Sequence, residues 1–323
     1  MPEVDVAIVG AGPTGLFAAY YAGFRGLSVA IIDALPEPGG QVTAMYPEKA
    51  IFDVAGFPTI KGRDLVANLV AQAGQFNPTY FLGVRAEKLS YLVDGRPCLS
   101  LSDGVVLHCG AVLITGGMGS FTSRPLPAAD AFSGDGLVYF VPHLDDLAGH
   151  DVVIVGGGDS AFDWALALEP LAKSVTLIHR RDKFRAHAST VARVLALSVE
   201  IIVNAEVTRM LGDARVTGVD VTQKGAEPRI LPADTVVAAL GFTADLGPLA
   251  DWGLDLDKRH IRVDSTTATN LPRVFAAGDI SDYPGKVRLI AVGFGEAATA
   301  VNNAAVAIDP SAHLFPGHSS DAG

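Results

Sequence analysis

Cysteine is nearly missing from this chain. Its 323 residues include two, Cys98 and Cys109, and no Cys-x-x-Cys occurs. Ten intervening residues suit neither a zinc site nor a vicinal redox pair, so two buried structural thiols are expected, and no metal. Long apolar runs are lacking too. No stretch approaches the ~20 residues that span a bilayer, and the first strand-like run opens at Val4, leaving no room for a signal peptide, so a soluble, cytoplasmic protein is expected. Positive charge is in deficit, with 24 Lys and Arg against 35 Asp and Glu and a formal net charge of −11. That balance argues against a general nucleic-acid or anionic-membrane binder. Charged residues make up 18% and hydrophobic ones 49%, a globular composition with room for about two domains.

What the chain does have is glycine at telling places. An apolar run over 4–9 enters Gly10-Ala11-Gly12-Pro13-Thr14-Gly15, residues 16–24 follow at helix-compatible spacing, and 27–32 form a second strand ending at Asp33. Strand, glycine turn, helix, strand is the context that makes such a motif credible. Gly10 allows the tight bend, Gly12 lets the backbone approach a pyrophosphate, and Gly15 lets helix and strand pack closely. Asp33, 18 residues after Gly15, is placed to accept hydrogen bonds from both ribose hydroxyls. A carboxylate there favours an unphosphorylated adenosine, as in FAD or NAD.

A second cycle runs from a strand over 151–155 through Gly156-Gly157-Gly158-Asp159-Ser160-Ala161 to a helix over 161–171 and a strand over 174–178. Gly156 and Gly158 repeat the first two glycine roles, with Ala161 at the helix-packing position. Where a ribose carboxylate would follow, the chain reads His179-Arg180-Arg181-Asp182-Lys183-Phe184-Arg185. Guanidinium groups make charge-assisted, often bidentate bonds to phosphate, so this edge is expected to select NADPH over NADH. A solvated basic loop is the plainer reading of such a run, but this one falls at the ribose position counted from an independent motif. Flavin plus nicotinamide is the usual division of labour between two dinucleotides, and Asp33 suggests FAD at the first.

Between the turns, residues 65–73 read as a helix and 84–114 as an antiparallel meander broken at Asp94-Gly95 and Asp103-Gly104. A meander in the second half is expected from runs near 200–203, 216–221 and 235–240. Val274-Phe275-Ala276-Ala277-Gly278-Asp279 reads as a late strand, followed by a helix over 296–308. A separate C-terminal domain of under ~80 residues would be marginal. The expected fold class is therefore α/β, with two Rossmann-like, three-layer ββα nucleotide-binding domains, each with a small antiparallel meander. The NADP domain (118–244) is inserted in the FAD domain (1–117 and 245–323), with hinges expected at 116–120 and 241–247.

With Gly39-Gly40-Gln41, the His179-Arg180-Arg181 cluster and Ala276-Ala277-Gly278-Asp279, nearly the whole chain resembles the flavoprotein pyridine-nucleotide reductases built like thioredoxin reductase. Thioredoxin reductases carry a Cys-x-x-Cys just before the second glycine motif. The corresponding stretch here is Tyr139-Phe140-Val141-Pro142-His143-Leu144-Asp145-Asp146, which excludes a dithiol relay. Tyr46-Pro47-Glu48-Lys49, Ala55-Gly56-Phe57-Pro58 and the segments 156–168, 179–187 and 293–303 look most like the thioredoxin-reductase-like ferredoxin (or flavodoxin)–NADP reductases.

That resemblance implies FAD and NADP(H) as cofactors, ferredoxin or flavodoxin as partner, and a homodimer. It implies an FAD site of Gly10, Gly12, Thr14, Gly15, Asp33, Gln41, Tyr46, Ala86, Phe121, Asp279, His318 and Ser320. Tyr46 would stack on one face of the flavin, and His318, on a C-terminal tail, on the other. Asp279 would bond the ribityl chain, and a helix start at Gly295-Glu296 would point toward the ring. Gly156, Gly158, Ser160, His179, Arg180, Arg181 and Arg185 are the expected NADP residues. The implied reaction is hydride transfer from NADPH C4 to FAD N5, then one-electron transfers to the carrier, with no side chain acting as acid or base. A same-class alternative is an NADPH-dependent reductase of quinone, ferric chelates or oxygen; a different-class one is a non-catalytic, NADPH-sensing flavoprotein. Such carriers are generally acidic, so a local basic rim of Lys49, Lys61, Arg63, Lys286 and Arg288 is also expected.

Overall fold

Val6, Ala7 and Ile8 are consecutive and all fully buried. A strand reads this way when both sheet faces are covered. In the computed structural model, which describes residues 2–315 and Gly317, Val6 and Ile8 enter a core shared with helices, and Ala7 enters a second core on the opposite face. Their strand, Glu3–Val9, pairs in parallel with Val29–Asp33 on one side and Val106–Ile114 on the other, and Thr79–Leu82 extends the sheet past Val29–Asp33. Helix α1 (Pro13–Phe24) starts with proline at its first turn, where the missing N–H costs nothing. It stops at Gly26, whose φ of +77° lets Leu27 N–H return to the Ala22 carbonyl at 3.0 Å. A short α2 (Gln41–Met45) and α3 (Gly62–Gly74) follow. Ala86–Tyr91, Pro97–Leu101 and Val106–Ile114 then form the antiparallel meander.

The chain divides into two compact units, Met1–Phe121 with Ala244–Gly323, and Thr122–Thr243. In the second unit Asp151–Gly156 repeats the alternation. Val152 and Ile154 face α4 (Asp159–Leu168), and Val153 and Val155 face the opposite core. Phe162 of α4 is fully buried and meets Phe184 edge-on at 4.8 Å. The parallel sheet runs Leu137–Val138, Thr235–Ala239, Asp151–Gly156, Ser174–His179, Glu200–Val203, with α5 (Ala188–Leu195) joining the last two strands. Two of the runs expected in this unit's meander, 200–203 and 235–240, thus belong to the parallel sheet. A short continuous apolar run suits either kind of strand, so only the pairing edge decides. The meander itself is Ala205–Leu211, Gly218–Gln223 and Arg229–Pro232.

The two crossings, Ser120–Ser123 and Phe242–Asp245, pair as a two-stranded ribbon. Val274–Ala276 then completes the first unit's sheet beside residues 112–114. The last helix, α6 (Ile290–Ile308), begins six residues before the expected 296. Gly293 and Gly295 read as helix breakers, yet both lie inside it. At Gly293 a β-carbon would stand 2.4 Å from Thr14 Oγ1, so glycine serves the packing of α6 on α1. Phe17 with Phe294 (centroids 5.1 Å apart) and Tyr21 with Asn302 (3.3 Å) continue that seam. The expected helix start at Gly295-Glu296 is corrected accordingly: Leu289 and Ile290 stand there instead.

Candidate functional site

In the first unit the glycine turn opens onto a cavity of about 310 Å³. Gly10 sits at φ +117°, and a β-carbon on it would lie 2.5 Å from the Thr115 carbonyl oxygen. At Gly15 the same atom would lie 1.9 Å from the Gly10 oxygen, so Gly15 is a packing residue behind the wall. Gly12 is different. It lines the cavity, and a β-carbon there would meet nothing within 4 Å of protein. Its bare backbone and the N-terminus of α1 therefore form a cradle that a side chain would fill, which suits a pyrophosphate. Thr14 also lines the cavity, wedged beside Gly278 and Gly293.

Asp33 ends its strand at the cavity wall. One carboxylate oxygen accepts Ala11 N–H at 2.6 Å and the other Leu35 N–H at 2.8 Å. Each oxygen keeps a lone pair for a ribose hydroxyl. Burial pushes its pKa up, against the opposing pull of those two bonds. Gln41, Tyr46, Ala86, Phe121 and Asp279 line the same space. Tyr46 caps α2, and burial, with the Asp279 and Asp53 charges behind it, pushes its phenol up to about 12. Burial also raises Asp279, against Lys286 and Arg288. His318 and Ser320 lie outside the described residues. Sequence reasoning missed Thr115, whose hydroxyl ties the Gly10 carbonyl at 2.8 Å; a threonine between an apolar strand and Gly116-Gly117 was the available signal. It also missed Leu246, Leu249, Leu289 and Ile290, which arrive from distant sequence and carry no local mark.

The second turn is built alike. A β-carbon on Gly156 would lie 2.5 Å from the Ala239 carbonyl oxygen, whereas at Gly158, the N-cap of α4, it would meet nothing. Ser160 is exposed in the first turn of α4. Asp159 accepts His187 N–H at 2.8 Å, and Arg185 N–H bonds the Gly157 carbonyl at 2.8 Å, folding the basic loop back onto the glycines. Arg180, Arg181 and Arg185 are exposed, and among the described residues no carboxylate pairs with their guanidinium groups. His179 stands apart from them. Its ring covers Gly157, where a β-carbon would come within 2.4 Å, and its Nε2 lies 3.2 Å from the Lys183 carbonyl. Burial, aided by the three arginine charges, holds its pKa below the usual value.

The expected basic rim needs correction. Lys286 is enclosed, its side chain 2% exposed and paired with Glu296. Lys61 and Arg63 share the Glu48 carboxylate at 3.1 and 2.6 Å, and Arg288 pairs with Asp282 at 2.9 Å. Cys98 and Cys109 are free and buried, as expected, and burial pushes Cys109 up to about 12. Among the described residues no helix is long and apolar enough to cross a membrane.

The family model for pyridine nucleotide-disulphide oxidoreductases matches residues 4–305. The chain is 75% identical over 321 residues to a ferredoxin–NADP reductase of Salinispora tropica, spanning 99% of each. It is 48% identical over 319 residues to one of Halalkalibacterium halodurans, spanning 98% of this chain and 96% of that one. Among solved structures, the T. acidophilum thioredoxin reductase matches with a TM-score of 0.76 at 29% identity, over 96% of this chain and 99% of that one.

Proposed function

The chain belongs to the pyridine nucleotide-disulphide oxidoreductase family, among its ferredoxin–NADP reductases of thioredoxin-reductase build, and from that premise we propose that it moves electrons between NADPH and ferredoxin or flavodoxin through FAD. The observation that carries this reading is the contrast between two similar glycine turns. One ends in a carboxylate, Asp33, beside a cavity; the other ends in three exposed guanidinium groups with which, among the described residues, no carboxylate pairs. FAD in the cavity supplies hydride exchange with a nicotinamide and single-electron exchange with a carrier.

The residues divide the work. Gly12 and the start of α1 hold the pyrophosphate, and Asp33 accepts the ribose hydroxyls. Tyr46 and Asp279 orient the remaining part of the cofactor. Val9, Ile32, Leu249 and Ile290 make the lining apolar and exclude water. With its pKa near 12, Tyr46 keeps its proton at neutral pH, so it acts as a surface and a donor, not as a base. Gly158 and the start of α4 receive the second pyrophosphate, and Arg180, Arg181 and Arg185 the 2′-phosphate. His179 holds the turn that presents them. Catalysis then comes from placement, which can supply a large share of a barrier without acid or base groups.

The test is anaerobic mixing of the purified protein with NADPH, then with ferredoxin or flavodoxin, while following flavin absorbance. Rapid bleaching and then recovery are expected. A flavin that NADPH leaves oxidised would overturn the reading. Bleaching reversed by quinone or ferric chelates but not by either carrier would overturn the partner.

A further inference from the structure

Lysine and glutamate are seldom buried unless paired, and this chain buries Lys286 and Glu296 together, next to the cavity-lining Asp279, without lining the cavity with either. The side chains of Lys286 and Glu296 are 2% and 7% exposed and form an ion pair. Glu296 projects from α6. Its Oε2 accepts Gly278 N–H at 2.7 Å and lies 3.3 Å from Ser281 Oγ, whose proton goes to the Gly278 carbonyl at 2.8 Å, and its Oε1 accepts the Tyr283 hydroxyl at 2.6 Å and the Lys286 ammonium. Lys286 also reaches Ser281 Oγ at 3.2 Å and lies 5.4 Å from the Tyr283 ring centroid. Three donors converge on one carboxylate, and all come from residues 278–286, the loop that carries Asp279 into the cavity.

A buried ion pair is a costly way to pin a loop, since apolar replacements of such pairs are often neutral or stabilising. The charges therefore have a second role to fill. The glycine turn and Asp33 take the adenosine diphosphate part of the cofactor. That leaves the side lined by Tyr46, Asp279, Leu289 and Ile290 for the ring, in a medium where a unit charge acts strongly. We propose that the Lys286–Glu296 pair, anchored one residue from Asp279, sets the reduction potential of the flavin bound in this cavity, besides positioning the loop. The inference rests on the FAD reading above.

Each ion keeps support when its partner is neutralised. Lys286 retains Ser281 and the field of Asp279, on which it is the leading charge; Glu296 retains Gly278 and Tyr283. Glu296→Gln thus leaves one extra positive charge beside the ring, and Lys286→Met one extra negative charge. Reduction adds negative charge to the flavin, so the two variants should shift the midpoint potential in opposite directions, upward for Glu296→Gln and downward for Lys286→Met. A tenfold change in the ratio of affinities for reduced and oxidised FAD corresponds to about 30 mV. The double variant should fall between them. Tyr283→Phe removes a donor without changing charge, so it should weaken FAD binding roughly fivefold and leave the potential unmoved.

The experiment measures FAD dissociation constants by fluorescence titration and midpoint potentials against a reference dye, for the full chain and these four variants. If the wild type binds no FAD, the functional reading fails rather than this one. Opposite shifts with an intermediate double variant support the proposal. Single variants that shift the same way, variants all at the wild-type potential, or a Tyr283→Phe shift as large as theirs would overturn it. Should one single variant not fold, the other compared with the double variant decides the sign.

Discussion

A β-carbon at Gly12 would meet nothing within 4 Å, whereas one at Gly15 would lie 1.9 Å from the Gly10 carbonyl oxygen. Gly12→Ala should therefore cost the ligand-free protein no more than about 1 kcal/mol, the loss of a tolerable N-cap, while lowering FAD affinity at least tenfold. Gly15→Ala should destabilise the fold itself by about 3 kcal/mol. Urea unfolding of the apoproteins with FAD titration separates the two, and a Gly12→Ala variant with wild-type FAD affinity would remove the cradle assignment. In the second unit, Arg180→Ala or Arg181→Ala should lower kcat/KM for NADPH about tenfold, as expected for a lost charge-assisted bond, and leave NADH unchanged. An unaltered NADPH:NADH ratio would refute the phosphate role. Asp33 gives a pH signature. Burial raises its pKa in the fold, so its contribution to apoprotein stability is fully present below the unfolded carboxylate's pKa and is lost as pH rises through the raised folded value. Asp33→Asn should flatten that part of the stability profile in urea unfolding across the carboxylate range; identical profiles would contradict it.

Two glycines of α6 make an internal control at the level of the element. Gly295 is exposed with open space at its β position, and Gly293 is buried against Thr14. Gly295→Ala should stabilise the protein by about 1 kcal/mol through helix propensity alone, and Gly293→Ala should destabilise it by about 1–3 kcal/mol. Thermal unfolding that moves both the same way would contradict the packing described for α1 and α6. This pair also shows why the helix start was misread from sequence: two identical residues, one serving a neighbour, carry no mark that tells them apart. The strands at 200–203 and 235–239 were misplaced for a similar reason, because burial on two faces gives the same apolar run in a meander and in a parallel sheet. Each glycine turn was legible because its function is local. The bend, the open backbone and the following helix fall within residues 10–24 in one unit and 156–168 in the other, so Asp33 and the arginine cluster could be placed by counting.

Across the whole molecule, legibility ended where charge met burial. Lys286 was expected at the surface because lysine usually is, and only the Glu296 carboxylate on α6, which accepts its ammonium, explains why it is not. With Lys61, Arg63 and Arg288 also carboxylate-paired and a net charge of −11, net charge supplies no long-range attraction toward an acidic carrier. Raising ionic strength should leave the carrier association rate unchanged or raise it; a steep fall on adding salt would show a steering surface. The order of the chain adds a consequence for biosynthesis. Residues 122–243 form a unit with its own sheet and cores, so it can fold as it leaves the ribosome. The earlier segment must wait, since Val274–Ala276 and α6 complete its sheet and the packing around Thr14. A chain interrupted before residue 274 would carry both glycine turns and still lack Asp279, Leu289 and Ile290 from the cavity lining, which makes cofactor retention dependent on residues synthesised well after the turns that announce it.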